Sequence, residues 1–175
     1  SGFALMSRAA EAMLGHVLQE YPDARKWLVV CGKGNNAGDA YLVAAFAKER
    51  GVEVCVHALV APSELKGDAA RAADAALAAD VPIRLESKLA TNTYDLVIDG
   101  LLGTGFNGAV RPNYAQMISA VNALGVPVVS VDVPSGVDAS TGAADVAIVA
   151  AMTVTFICRK IGLATGAGKV LAGKV

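Results

Sequence analysis

Histidine, cysteine, aromatic residues and long apolar runs are all scarce in this chain, and each scarcity excludes something. Among 175 residues there are two histidines and three cysteines. His16 reads as a residue of the first helix and His57 as part of a strand, both structural. Zinc or iron sites and Ser-His-Asp or Cys-His catalytic sets therefore lack their parts. Cys31, Cys55 and Cys158 are odd in number, widely spaced and in or beside apolar runs. They read as reduced core thiols of a cytoplasmic protein, not as a disulfide framework. Charge of one sign is also lacking. The net charge is −1 and no basic patch stands out, so nucleic acid is not an expected partner. Mean hydropathy is positive, at +0.48. Even so, no uninterrupted apolar stretch approaches the roughly 20 residues a spanning helix needs, and no secretory leader is visible, so no membrane is expected either.

What is abundant is Ala, Val and Gly, in a chain that is 54% hydrophobic and 5% aromatic. That composition suits helices packed on a buried parallel sheet. Residues 3–21 carry apolar positions at helical spacing, ending before Pro22. Trp27 to Cys31 is a continuous apolar run of the kind expected for a strand buried on both faces. The spacing then predicts a helix over 38–50, a strand over 52–60, a helix over 62–79 and short strands over 82–85 and 95–99. A helix opening at Pro112 and running to about Leu124 follows, proline being harmless in a first turn. Strands are expected over 126–133 and 152–156, with a last one over 170–175. Strands alternating with helices at this spacing imply a three-layer αβα, Rossmann-like fold with a mostly parallel sheet. The chain reads as one domain over 1–175, cut at both ends from a longer polypeptide.

In such sheets ligands bind beyond the carboxyl ends of the strands. Three polar loops follow strands here. The first, Gly32 to Asp39, combines glycines that allow close backbone approach with the start of a helix, where N–H groups face an anion. It matches neither a full G-x-G-x-x-G nor a P-loop. Two consecutive asparagines and an aspartate exceed what one helix cap requires. The second, Asp99 to Gly108, holds four glycines in ten residues, costly to order and suited to wrapping phosphates or a ribose. Asp99 is either a site acid or a turn-forming residue. The third, Asp132 to Asp138, puts Asp132 at the end of an apolar strand, an expensive place for a carboxylate without partners. Asn36, Asp99 and Ser135 offer hard oxygen ligands that suit a hard cation.

Four segments in register resemble the NAD(P)H-hydrate epimerases. That family reads roughly G-x-G-N-N-G-G-D-G, D-x-x-x-G-T-G, D-x-P-S-G-x-D and T-x-T-F with a Lys four residues on. Here the segments are Gly32 to Ala40, Asp99 to Gly105, Asp132 to Asp138, and Thr153-Val154-Thr155-Phe156 with Lys160. The likeness runs from about Gly2 to the end. Ala37 and Ala40 stand where the family has glycine, which a backbone of negative φ tolerates.

The resemblance implies a metabolite-repair isomerase that interconverts the R and S forms of hydrated NADH and NADPH. Carried over residue by residue, Asn35, Asn36, Ala37, Gly38, Asp39, Gly103, Thr104, Gly105, Phe106, Asn107, Gly108, Ala109 and Asp132 would bind the hydrated dinucleotide. Asn36, Asp99 and Ser135 would hold a potassium ion. A homodimer and a fused ADP- or ATP-dependent dehydratase domain are further family expectations. Asp132 is the expected acid–base group, since it lies at a strand end between phosphate-type loops. Lys160 is a second candidate by position, or else a surface lysine beside Arg159. The rival reading is a non-catalytic binding or scaffold module of the same fold, which should have lost Asn36, Asp99, Asp132 and Ser135. An ordinary nicotinamide oxidoreductase is disfavoured, because no acid stands near Leu59-Val60 to hold a ribose hydroxyl.

Overall fold

Alternation of buried side chains along each strand explains the architecture. In β1 (Lys26–Cys31), Trp27, Val29 and Cys31 face one helical layer while Leu28 and Val30 face the other, and all five are fully buried. The structure, a computed structural model, describes residues 2–85, 88–89 and 93–175. Six strands form one sheet in the order β3-β2-β1-β4-β5-β6, and every pairing between neighbours is parallel. The others are β2 (Glu53–Ala58), β3 (Ile83–Arg84), β4 (Leu96–Gly100), β5 (Val128–Val131) and β6 (Met152–Val154). Parallel strands covered on both faces lose the polar alternation of exposed sheets, which is why they read as apolar runs.

On one face lie α1 (Gly2–Glu20), α2 (Asn35–Glu49) and α3 (Gly67–Ala78), with α2 in the middle against the sheet. Its run Ala40-Tyr41-Leu42-Val43-Ala44-Ala45 is buried throughout, since neighbouring helices cover what the sheet does not. The opposite face is covered by α4 (Pro112–Asn122), which contributes Tyr114, Met117, Ile118 and Val121 to a second core cluster. Pro112 lies in its first turn, as expected. Among the described residues no helix is long and apolar enough to cross a membrane.

The structure corrects four readings of the sequence. The second helix opens at Asn35, not at residue 38, so the Asn-Asn-Ala-Gly-Asp segment is its first turn and not a loop. The stretch 62–79 is a single 3-10 turn, Pro62–Glu64, followed by α3 from Gly67, whose φ of +59° breaks the helical path. The expected strand at 170–175 is instead a short helix, α5 (Gly168–Leu171), and only Lys174 bridges to the sheet, at Met152. Of the three free thiols, Cys31 is buried, Cys55 half-buried and Cys158 exposed, so Cys158 is not a core residue.

Candidate active site

The three motifs meet over the carboxyl ends of β1, β4 and β5, as the topology requires. A cleft of about 580 Å³ opens there between α2 and the segment leading to α4. Its walls include Asn35, Asn36 and Asp39 of the first motif, Gly103, Thr104, Gly105, Phe106, Asn107 and Ala109 of the second, and Asp132 of the third. Ala37 and Gly38 are brought close but lie inside the helix, away from the cleft wall. Gly108, at φ +83°, lines a smaller neighbouring hollow with Phe106, Asp138 and Asp145. Six residues outside the sequence-predicted site set also line the main cleft: Lys33, Gly34, Leu101, Leu102, Arg111 and Tyr114.

The N-terminus of α2 is built to be open. Gly34 precedes it in extended backbone, and no side chain caps the helix. The N–H groups of Ala37 and Gly38 turn back to the Gly34 carbonyl at 3.0 and 3.2 Å. Among the described residues that leaves the amides of Asn35 and Asn36 without a protein acceptor, at the positive end of a 15-residue helix. The two alanines cause no strain, since neither has positive φ. Ala40 instead fills the space over Gly100, where an added Cβ would come within 2.4 Å of it.

Beneath the cleft floor lies a compact oxygen cluster. Asp99 is fully buried, and its carboxylate accepts four hydrogen bonds. They come from Ser135 Oγ (2.6 Å), Ser130 Oγ (2.8 Å), Ser135 N (2.9 Å) and Leu101 N (3.3 Å). Burial still pushes this carboxyl above its ordinary value, against those donors. Ser135 Oγ in turn accepts the Leu102 N–H at 2.8 Å, and Asn36 Nδ2 donates to the Leu102 carbonyl at 3.0 Å. Gly103 follows closely: a Cβ there would meet the Asn36 Cβ at 2.9 Å, so only glycine lets the second loop sit against the first motif. Asn36, Asp99, Ser135 and the Leu102 carbonyl thus present one carboxylate and several neutral oxygens within a few ångströms. Among the described residues no group of three His, Cys, Asp or Glu is placed for a metal.

Asp132 stands at the far wall in a strained backbone. Its φ is +64°, and Val133 N–H bonds to the Val131 carbonyl at 2.7 Å across it, a three-residue turn of the γ type. A second such turn is centred on Ile157, with φ +66° and a Cys158 N–H to Phe156 carbonyl bond of 2.7 Å. Between them the two turns hold a fixed charge pair. Asp132 Oδ1 accepts from Thr155 Oγ1 and from Phe156 N, both at 3.0 Å, and from Lys160 Nζ. Lys160 also donates to the Phe156 carbonyl at 2.8 Å and to Thr155 Oγ1 at 3.1 Å. All three ammonium donors are used, so Lys160 is an anchored cation and not a loose surface lysine. Among the described residues Asp132 Oδ2 has no hydrogen bond and is left for the cleft. Thr155 in this role was not anticipated.

Asp39, opposite on α2, differs sharply. Burial first, and the Asp132 charge second, push its carboxyl up to about 7. The cleft thereby joins two carboxyl groups of contrasting environment, one hydrogen-bonded to Lys160 and one that keeps its proton near neutrality. The sequence offered no signal for this, because the two residues are 93 positions apart and become neighbours only through the packing of α2 over β5.

The family model described as "YjeF-related protein N-terminus" matches residues 2–162. The bifunctional NAD(P)H-hydrate repair enzyme Nnr of Escherichia coli K12 is 42% identical over 99% of this chain, which spans 34% of that enzyme. An NAD(P)H-hydrate epimerase of Limosilactobacillus fermentum is 37% identical over 98% of the chain and is itself 82% covered. The crystal structure of yeast ynu0 superimposes with a TM-score of 0.80 over 92% of the chain and 73% of the yeast protein, at 21% identity, and so shares its fold. With the motifs, the sheet order and these relatives in agreement, the chain belongs to the family of YjeF-related protein N-terminal domains, which includes the NAD(P)H-hydrate epimerases.

Proposed function

We propose that this chain epimerises hydrated NADH and NADPH, interconverting the R and S forms at the hydroxyl-bearing ring carbon. The observation that carries the reading is the pairing of an anchored Asp132 with a proton-holding Asp39 across a cleft lined by a helix N-terminus and a glycine loop. The open amides of Asn35 and Asn36 and the glycine loop Gly103 to Gly105 would cradle the diphosphate. The ring would lie toward Asp132.

The hydroxyl carbon of the hydrate is bonded to the ring nitrogen. Proton donation to the hydroxyl lets the C–O bond break as the nitrogen lone pair forms C=N, giving an iminium cation and one water. Water then returns to either face and gives up a proton to the same carboxyl pair, so acid and base are regenerated. Asp132 Oδ2 is the group that faces the reacting oxygen, and Asp39 holds the exchangeable proton. Lys160, with every donor committed, keeps Asp132 oriented and does not transfer protons itself.

Potassium fits the oxygen cluster of Asn36, Asp99 and Ser135, with the Leu102 carbonyl beside them. A single carboxylate already carrying four hydrogen bonds suits a monovalent ion, and a cation would offset the cost of burying that charge. When bound it would supply fixed positive charge that ties the three loops together. Free thiols suit a reducing compartment such as the cytoplasm. The chain spans about a third of the length of the bifunctional relative from Escherichia coli; a fused dehydratase unit and a homodimer are further parts of the proposal that rest on the family resemblance. Incubation of enriched S-hydrate with the protein and potassium, followed by chiral chromatography, tests it. Conversion toward the R form well above the spontaneous rate, without any change in redox state, is the expected result. Hydride transfer, or no conversion, would rule the reading out.

A further inference from the structure

Two cations in the cleft have no task in that scheme. Lys33 and Arg111 both line it, both are exposed, and neither has an acidic partner among the described residues. They come from segments 78 positions apart and are joined through Tyr114. Gly32 packs so tightly on α4 that an added Cβ would meet Tyr114 Cε1 at 3.0 Å. Burial raises the Tyr114 phenol above its ordinary value, while the Arg111 charge and the Lys33 backbone N–H oppose the rise.

The electrostatic account of the cleft is unbalanced in consequence. Asp132 is neutralised by Lys160, and Asp39 retains its proton near neutrality. The surplus charge is the pair Lys33 and Arg111, added to the helix end and glycine loop that already meet a diphosphate. Its position matters as much as its sign. Lys33 follows β1 and Asp132 follows β5, with β4 between them. Two strand spacings of about 4.8 Å put roughly 10 Å between the backbones at Lys33 and Asp132, and the Lys33 side chain adds to that reach. In hydrated NADPH the extra phosphate is on the adenosine ribose, across the diphosphate from the reacting ring.

Building on the epimerase reading, we propose that Lys33 and Arg111 bind the 2′-phosphate of hydrated NADPH and make this chain selective for it over hydrated NADH. Arg111 supplies a planar fork for phosphate oxygens and Lys33 a mobile point charge. Tyr114 keeps the two segments in register.

Binding can be read without turnover by titration calorimetry with ADP-ribose and with 2′-phospho-ADP-ribose. The 2′-phospho ligand is expected to bind at least about tenfold more tightly, the gap narrowing as salt is raised. The double variant Lys33→Gln, Arg111→Gln should bring the two ligands within about twofold of each other. Equal affinity of the unaltered protein for both ligands overturns the inference. So does equal weakening of both in the double variant, which would assign the cations to the diphosphate. Turnover separates this proposal from the one it rests on. A preference for the 2′-phospho ligand without epimerisation would sink the activity and keep the selectivity. Epimerisation of both hydrates at equal kcat/KM, with no ligand preference, would do the reverse.

Discussion

Replacing Asp39 by asparagine should make the protein more stable at pH 8 and leave it unchanged near pH 4. In the folded chain the carboxyl holds its proton up to about 7, against 3.8 for an ordinary aspartate. Between those values the folded state binds more protons than the unfolded one, so the contribution of this group to stability falls as pH rises through the window. Below 3.8 both states are protonated and the penalty vanishes. Holding the proton to about 7 in place of 3.8 corresponds to about 4 kcal/mol above pH 7, and water reaching the cleft side of the residue reduces that to about 2 kcal/mol. Asparagine is neutral throughout and similar in helix propensity, so it escapes the penalty at no other large cost. Urea denaturation of both proteins at pH 4.5 and pH 8, at fixed ionic strength and fixed potassium, gives the comparison. The variant's advantage should grow by about 2 kcal/mol across that range with an unchanged m-value. A difference independent of pH would refute the assigned environment of Asp39. The same substitution should flatten the limb near pH 7 in the activity profile.

Asp132→Asn keeps the shape of a side chain that accepts from Thr155 and Phe156, so folding should persist while epimerisation falls by about 10² to 10⁴, read as kcat by chiral chromatography. Ser135→Ala removes the hydroxyl that donates to buried Asp99 and accepts from Leu102 N–H, and should cost about 2–3 kcal/mol in chemical denaturation. Ile157 is 94% exposed at φ +66°, so Ile157→Gly loses no packing and should raise stability by about 1 kcal/mol in the same assay.

The strands were legible because burial on both faces writes itself as Trp27 to Cys31 or Leu96 to Ile98, with no polar alternation to confuse the period. The motifs were legible because Asn36, Asp99 and Ser135 belong to one oxygen cluster and each ends or follows a strand. The start of α2 was not, since Gly34 gives no capping side chain and Asn35-Asn36 reads locally as a turn. The segment Val170 to Val175 is too short for its period to separate a helix from a strand, and a single bridge at Lys174 decided its place. Thr155 and Phe156 holding Asp132, the raised carboxyl of Asp39 and the presence of Lys33 and Arg111 in one cleft all depend on the packing of distant segments. No local pattern encodes those. Lys160 was legible only as a position, and its three acceptors are what distinguish an anchored cation from a surface one.

The most direct test of the account is the time course of a purified single epimer. Hydrated NADPH enriched in the S form, incubated with the protein and potassium, should reach the equilibrium mixture of R and S far ahead of the protein-free control, and Asp132→Asn should return the rate to that control. An R:S ratio that drifts at the spontaneous rate, with the protein folded and potassium present, would contradict it.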